Sequence, residues 1–481
     1  MSALFPTRGH PGVGGGRDLY IRAPHQRRAT TAQIKGLYPW VVGGGSPLIG
    51  APVGKTLHDN GSVTVCCDPI AWFESHIVNV PAVFVLGLPS MGKSALAKRM
   101  VTCLAGRGIT PWVLGDVKDG GEYVPLIRAL GGQVIRLGRG LGYLNVLDMG
   151  GAPAAAARIG GGAGAALLAD ARARRQLGVE SLISAQRGTQ PTNDETLLLT
   201  VALTALDDLT ALLDSPPILA DLLAIVAEPT EALKDAAGWR GDIEKYYAEA
   251  DSLRKSLTAL TLDSGFGEVF SRETTVTIDR TKPLVFDISA VDDDDRQLRS
   301  ALLMACWTVG FGQIAVTHAL SDAGLEPARK YVLVLDELWS ALRGGTGLVD
   351  RVDALSRLNR DKGVGVIMVS HTMDDLKALP TEEDRRKAAG LVERAGILIC
   401  AGLPRSEMAA LQGVAKFTER EVATLAGWST PPTLQGASKN KPPPGQGNFL
   451  IKVGGLPGIP FHLQLTAAEA GLNDTSKRWD M

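Results

Sequence analysis

The sequence predicts an α/β fold with a mostly parallel sheet, and three observations carry that prediction. Continuous apolar runs of five or six residues recur at Ala82–Leu86, Tyr331–Leu335 and Val364–Val369. Strands covered by helices on both faces read this way, because no residue of the run meets water. The first run leads directly into Gly87-Leu88-Pro89-Ser90-Met91-Gly92-Lys93-Ser94 and then into a helix-forming stretch at 95–104. The second ends in Asp336-Glu337, so an apolar strand delivers two acids to one edge of the sheet.

Taken in order, the elements group as follows. Residues 1–60 are rich in Gly, Pro and Arg, with Arg8, Arg17, Arg22, Arg27, Arg28, Lys35 and Lys55 set against Asp18 and Asp59. Weak periodicity makes this a partly ordered basic N-terminal arm, lying on the surface or touching a neighbouring subunit or a phosphate backbone. Residues 61–150 form the first part of the sheet domain: strands at 62–67, 82–86, 112–116 and 132–137, then Leu144-Asn145-Val146-Leu147-Asp148. The Gly/Ala-rich stretch 150–164 reads as a loop or linker. From 165 to 262 there is no convincing strand, and 197–213 and 243–260 read as helices, so 151–264 is a linker plus an inserted α-helical subdomain. The sheet pattern returns over 265–430, with strands at 284–288, 331–335, 364–369 and 396–400. Residues 431–447 hold five prolines and read as a linker, and 448–481 as a short C-terminal tail.

Composition narrows the class. Lys and Arg number 50 against 51 Asp and Glu, so no global basic field points to nucleic acid, although a local patch remains open. The five cysteines (Cys66, Cys67, Cys103, Cys306 and Cys400) form no CxxC pair and read as reduced and mostly buried, as in a cytoplasmic protein. The N-terminus lacks the apolar core of a signal peptide. Residues 301–320 are long and apolar enough to span a bilayer, but they carry Gln313, Thr317 and His318 and lie between two strands. A buried crossover helix is the better reading, which leaves the chain without a transmembrane segment of its own.

The chemistry concentrates at the strand ends. A GxxxxGKS loop between a buried strand and a helix curls its backbone around phosphate, so Gly87, Leu88, Pro89, Ser90, Met91, Gly92, Lys93, Ser94 and Ala95 are the expected ATP-binding residues. Lys93 supplies a point charge to the β/γ-phosphates, and Ser94 a hydroxyl for Mg²⁺. Asp336 would hold the Mg²⁺ through water, while Glu337 polarises the attacking water as general base. His371, at the end of the next strand, can contact the γ-phosphate. An oligomeric ATPase often completes its site with a guanidinium from the next subunit; Arg357 and Arg360 are the leading candidates, followed by Arg351, Arg394 and Arg405. The fold expected is therefore a RecA-like P-loop NTPase. An ABC-type reading fails because 319–324 read ALSDAG where the LSGGQ signature would stand.

Several segments together resemble the motor domain of the VirB/TraC-type ATPases of conjugative type IV secretion, within the FtsK–HerA group. They are the P-loop, Gly115-Asp116-Val117-Lys118 with Gly121-Glu122-Tyr123, the LNVLD stretch at 144–148, 265–270, 285–289 and Leu335-Asp336-Glu337-Leu338-Trp339. The likeness covers roughly residues 60–430. His371 stands where the family usually has Gln, LNVLD replaces LNPLD, and about 60 residues precede the motor where the secretion ATPases carry a long docking domain. The resemblance implies a ring-forming, hexameric ATPase that moves DNA or protein, cytoplasmic and peripheral to the inner face of the membrane, with DNA and membrane-bound secretion components as partners. Two other readings stand beside it: a soluble DNA-translocating or packaging ATPase of a mobile element or phage, and a non-enzymatic, nucleotide-dependent scaffold.

Overall fold

The computed structural model describes residues 47–57, 63–210, 215–342, 363–377, 379, 381–430 and 445–473. These contain eleven strands, all in one sheet: β1 (Pro52–Thr56), β2 (Thr64–Cys66), β3 (Ala82–Leu86), β4 (Thr110–Asp116), β5 (Gln133–Arg136), β6 (Leu284–Asp287), β7 (Tyr331–Leu335), β8 (Val364–Val369), β9 (Ile397–Cys400), β10 (Asn448–Lys452) and β11 (Ile459–Leu463). The spatial order is β2-β1-β11-β10-β9-β3-β8-β7-β4-β6-β5. From β9 to β5 every pairing is parallel, and from β10 to β2 every pairing is antiparallel.

The strand side chains alternate between two buried layers, as the period of two requires. Phe84, Leu86, Leu333, Leu335 and Met368 face one apolar cluster, and Val83, Val85, Val332, Val334 and Ile367 face the other. Both layers are needed because the central strands have no solvated face. On the second layer lie α1 (Pro69–Glu74), α2 (Lys93–Gly106) and α3 (Val124–Ala129). On the first lies the long helix α11 (Arg296–Asp322), whose Trp307 is fully buried and donates its indole N–H to the carbonyl of Leu114 at 2.6 Å. This is the stretch expected as a buried crossover helix, and most of its apolar surface is covered by protein.

The region between β5 and β6 is helical: α4 (Ala152–Ile159), α5 (Gly161–Arg187), α6 (Asn193–Thr210), α7 (Leu219–Ala227), α8 (Glu231–Ala236), α9 (Ile243–Thr261) and α10 (Gly267–Phe270). Val179, Leu182 and Ile183 of α5 share one apolar cluster with Trp307 and Phe311 of α11, so these helices pack onto the sheet's own cover. The Gly/Ala stretch 150–164, expected as a loop or linker, is instead helical through α4 and the first turn of α5. Alanine is the best helix former, and two of the glycines sit where they cost least: Gly151 and Gly160 have positive φ and form the boundaries of α4. Asn145 of the LNVLD stretch is a brace. It is buried, its side-chain amide donates to the carbonyl of Pro217 at 2.8 Å, and its carbonyl caps the Leu147 N–H at 3.0 Å.

Beyond β7 follow α12 (Leu338–Leu342), α13 (Met373–Lys377), α14 (Glu382–Arg394), α15 (Arg405–Gln412), α16 (Glu419–Trp428) and α17 (Ala467–Leu472). Two further expectations change here. The segment read as a C-terminal tail supplies β10 and β11, which extend the sheet antiparallel from β9. Residues 52–56 of the segment read as an arm form β1, paired with β11 and β2. Arg99 of α2 fixes this edge: its guanidinium donates to the Pro52 carbonyl at 2.9 Å and pairs with Glu469 at 2.7 Å. All five cysteines are free; four are buried and Cys103 is half-buried.

Candidate functional site

The parallel strands β3, β8 and β7 are adjacent, so their carboxyl ends bring three loops to one place. The loop after β3 is tied down on both sides. Gly87 N–H donates to the His371 carbonyl at 2.8 Å, and Leu88 N–H to the Gly402 carbonyl at 3.1 Å. A Cβ on Gly87 would lie 2.5 Å from that of Ala401, so only glycine passes here. Gly92 caps α2 in the left-handed region, and Ser90 adopts it too, at φ 63°. Together these turns wrap the backbone around the N-terminus of α2, where unpaired N–H groups and the helix dipole favour an anion. The loop is also backed by the C-terminal segment: Gly447 N–H donates to the Met91 carbonyl at 3.0 Å, and the Gln446 amide to the Ser90 carbonyl at 3.0 Å.

Lys93 is buried and reaches back into the loop. Its Nζ donates to the carbonyls of Gly87 (2.7 Å) and Leu88 (3.0 Å) and lies 3.0 Å from His371 Nδ1. Burial lowers its pKa to about 8, with the Glu337 carboxylate pulling the other way. His371 Nε2 is 3.0 Å from Glu337 Oε2, and the Trp339 indole N–H donates to the same oxygen. An imidazole that accepts from Lys93 at Nδ1 and donates to Glu337 from Nε2 satisfies both contacts. Burial alone would raise the Glu337 carboxyl, but His371, then Lys118 and Trp339, outweigh it and hold it well below the usual range. Glu337 also has a left-handed backbone, φ 52°, a conformation that costs about 1–3 kcal/mol in a side-chain-bearing residue and clusters at working sites.

Asp336, buried, is the hub of a second group. Its Oδ2 accepts from Ser94 Oγ at 3.3 Å and from the Tyr123 hydroxyl at 3.0 Å, and lies 3.5 Å from Lys118 Nζ. Its Oδ1 accepts the Glu337 N–H at 2.9 Å. The GEY residues find their reason here. Tyr123 touches Asp336, while Glu122 bridges Lys98 of α2 at 3.3 Å and Lys118 at 2.7 Å. Asp116, at the end of β4, accepts the Tyr123 N–H at 2.6 Å; burial lifts its pKa to about 7.

The residues present suit a magnesium ion. Mg²⁺ keeps several waters and takes one or two protein oxygens plus substrate phosphate. Ser94 and Asp336 offer one hydroxyl and one carboxylate side by side at a phosphate-shaped loop. Among the described residues no group of three or more His, Cys, Asp or Glu side chains forms a protein-only metal cage.

Structural comparison places this architecture. VirB4 of Thermoanaerobacter pseudethanolicus superimposes with a TM-score of 0.64 at 18% identity, over 89% of this chain and 100% of that one. The chain has the VirB4 fold. The conjugative coupling protein TrwB aligns more loosely, with a TM-score of 0.46 at 15% identity over 80% of this chain and 84% of that one. No protein-family profile matches the sequence, and no curated protein sequence matches it.

Within the VirB4 fold the sequence-derived residues fall into two groups. Lys93, Ser94, Asp336, Glu337 and His371 converge, although 278 positions separate Lys93 from His371. Arg351, Arg357 and Arg360 lie outside the described residues. Arg394 and Arg405 are exposed on either side of β9. Sequence reasoning did not name Lys118, Tyr123, Glu122 and Trp339 as site residues. The signal was present in the GEY and DELW stretches, but the contacts of Lys118 and Tyr123 with Asp336 join positions more than 200 apart, while Glu122 and Trp339 act through near neighbours in sequence.

Proposed function

We propose that the chain binds Mg²⁺–ATP at the loop Gly87–Ala95 and hydrolyses it to drive a conjugative-type motor. The observation that carries this is the convergence of Lys93, Ser94, Asp336, Glu337 and the half-buried His371 from three strand ends into one hydrogen-bonded group. On nucleotide binding, Lys93 exchanges the carbonyls of Gly87 and Leu88 for β/γ-phosphate oxygens. Ser94 and Asp336 would hold a magnesium ion, which would neutralise phosphate charge. Glu337 orients the attacking water and accepts its proton. A carboxylate held by His371 and Trp339 has little affinity for a proton, so general-base action requires that the His371 contact be released first. His371 lies between Lys93 and Glu337 and so couples phosphate occupancy to that release.

The motor reading rests on the VirB4 fold together with the GEY, LNVLD and DELW stretches. It implies a cytoplasmic, homo-hexameric ring at the membrane face, a site completed in trans by Arg357, and DNA or protein as cargo. Steady-state ATP turnover of the purified chain, with and without DNA, tests the proposal. Mg²⁺-dependent turnover that disappears in Lys93→Ala supports it. Nucleotide binding without turnover in any oligomeric or DNA-bound state would leave a scaffold instead.

A further inference from the structure

Lys118 lies two residues beyond Asp116 at the end of β4, the strand beside β7. Its Nζ is 2.6 Å from Ser94 Oγ and 3.5 Å from Asp336 Oδ2, the two oxygens assigned above to magnesium. Glu122 is 2.7 Å away and Glu337 3.7 Å. A magnesium ion sits about 2.0–2.1 Å from its oxygen ligands. An ammonium 2.6 Å from the same hydroxyl therefore competes with the metal for one position.

We infer that Lys118 is an internal counter-cation, which occupies the Ser94–Asp336 site until Mg²⁺ arrives with nucleotide phosphate and then withdraws. The inference rests on the reading of Ser94 and Asp336 as magnesium ligands. Two features of the surroundings support it. Lys118 Nζ lies within 4 Å of carboxylate oxygens of Glu122, Asp336 and Glu337, so its removal would leave all three with less compensating positive charge. The lysine also has a way out. Its side chain is 37% exposed, on a cavity of about 680 Å³ that it lines together with Asp292, Asp293 and Asp294. Asp293 pairs with Arg299, and Asp292 and Asp294 give the same cavity further negative charge toward which the displaced ammonium can turn. The consequence is an order of events: free divalent cation does not preload the site, and metal enters with phosphate.

The experiment measures Mn²⁺ binding to the full chain by electron paramagnetic resonance, first without nucleotide and then with ADP. In wild type, Mn²⁺ alone binds weakly and ADP tightens it strongly. In Lys118→Met, Mn²⁺ alone binds at least tenfold more tightly, and Ser94→Ala in the same background removes the gain. Lys118→Arg, which keeps the charge, behaves like wild type. Equal Mn²⁺ affinity of wild type and Lys118→Met without nucleotide, with both binding Mn²⁺–ADP, overturns the exchange while leaving the nucleotide site intact. A tight nucleotide-free Mn²⁺ site in wild type that is lost in Ser94→Ala overturns it without any Lys118 variant. If wild type binds no Mn²⁺–ADP at all, the nucleotide site itself fails, and the exchange with it.

Discussion

Replacing Lys93 by Met should leave a distinctive mark on stability as a function of pH. Lys93 is buried and its pKa in the folded chain is about 8, against an ordinary 10.5. Between those values the unfolded chain holds a proton that the folded chain has lost, so this group makes the wild type more stable as pH rises through the window. Below pH 8 the folded protein carries the full cost of burying the charge; at about 1.4 kcal/mol per pH unit, the gap corresponds to roughly 3 kcal/mol. Met has no such titration. It also leaves the carbonyls of Gly87 and Leu88 without their donor, at about 1–3 kcal/mol each, but that term does not depend on pH. The stability of Lys93→Met relative to wild type should therefore fall by about 2 kcal/mol between pH 8 and 9.5 and stay flat below pH 7. Urea unfolding of both proteins at four pH values, followed by tryptophan fluorescence, measures it. Parallel curves across the whole range would refute the claim that Lys93 is buried at the cost of its charge.

Other perturbations read different parts of the site. Gly87→Val places a side chain where a Cβ would already sit 2.5 Å from that of Ala401; it should abolish ATP binding and cost about 1–3 kcal/mol, read by fluorescent-nucleotide titration and unfolding. Tyr123→Phe removes the 3.0 Å hydrogen bond to Asp336 and should lower stability by about 1–2 kcal/mol, and an unchanged urea midpoint would contradict that contact. Mixing Arg357→Ala subunits with Lys93→Ala subunits should produce ATP turnover different from that of either alone if the arginine acts in trans; identical behaviour would remove Arg357 from the site.

Much of the fold was legible because the central parallel strands have no exposed face. Ala82–Leu86 and Tyr331–Leu335 are apolar at every position, and each strand end carries a residue that the chemistry needs. The antiparallel edge was hidden for the opposite reason. Ile459–Leu463 alternates a buried Phe461 with an exposed His462, follows a proline-rich stretch, and besides its local hairpin with β10 pairs with β1, about 400 residues earlier. The helix at Ala152–Ile159 was obscured by its flanking glycines, which serve as caps. In the site, Lys93, Ser94 and the acid pair follow from local pattern. Lys118 does not, because a lysine just after a strand is ordinarily solvated. Its role comes from a hydroxyl 24 positions away and a carboxylate 218 positions away.

The central claim is that Glu337 activates water at a hydrolytic site. Glu337→Gln keeps the shape and the contact with Trp339 but removes the charge that positions and deprotonates water. Single-turnover hydrolysis of radiolabelled ATP, measured beside nucleotide affinity, tests it most directly. Glu337→Gln should bind Mg²⁺–ATP about as tightly as wild type and hydrolyse it at least about 100-fold more slowly. Turnover at the wild-type rate with affinity preserved would contradict it.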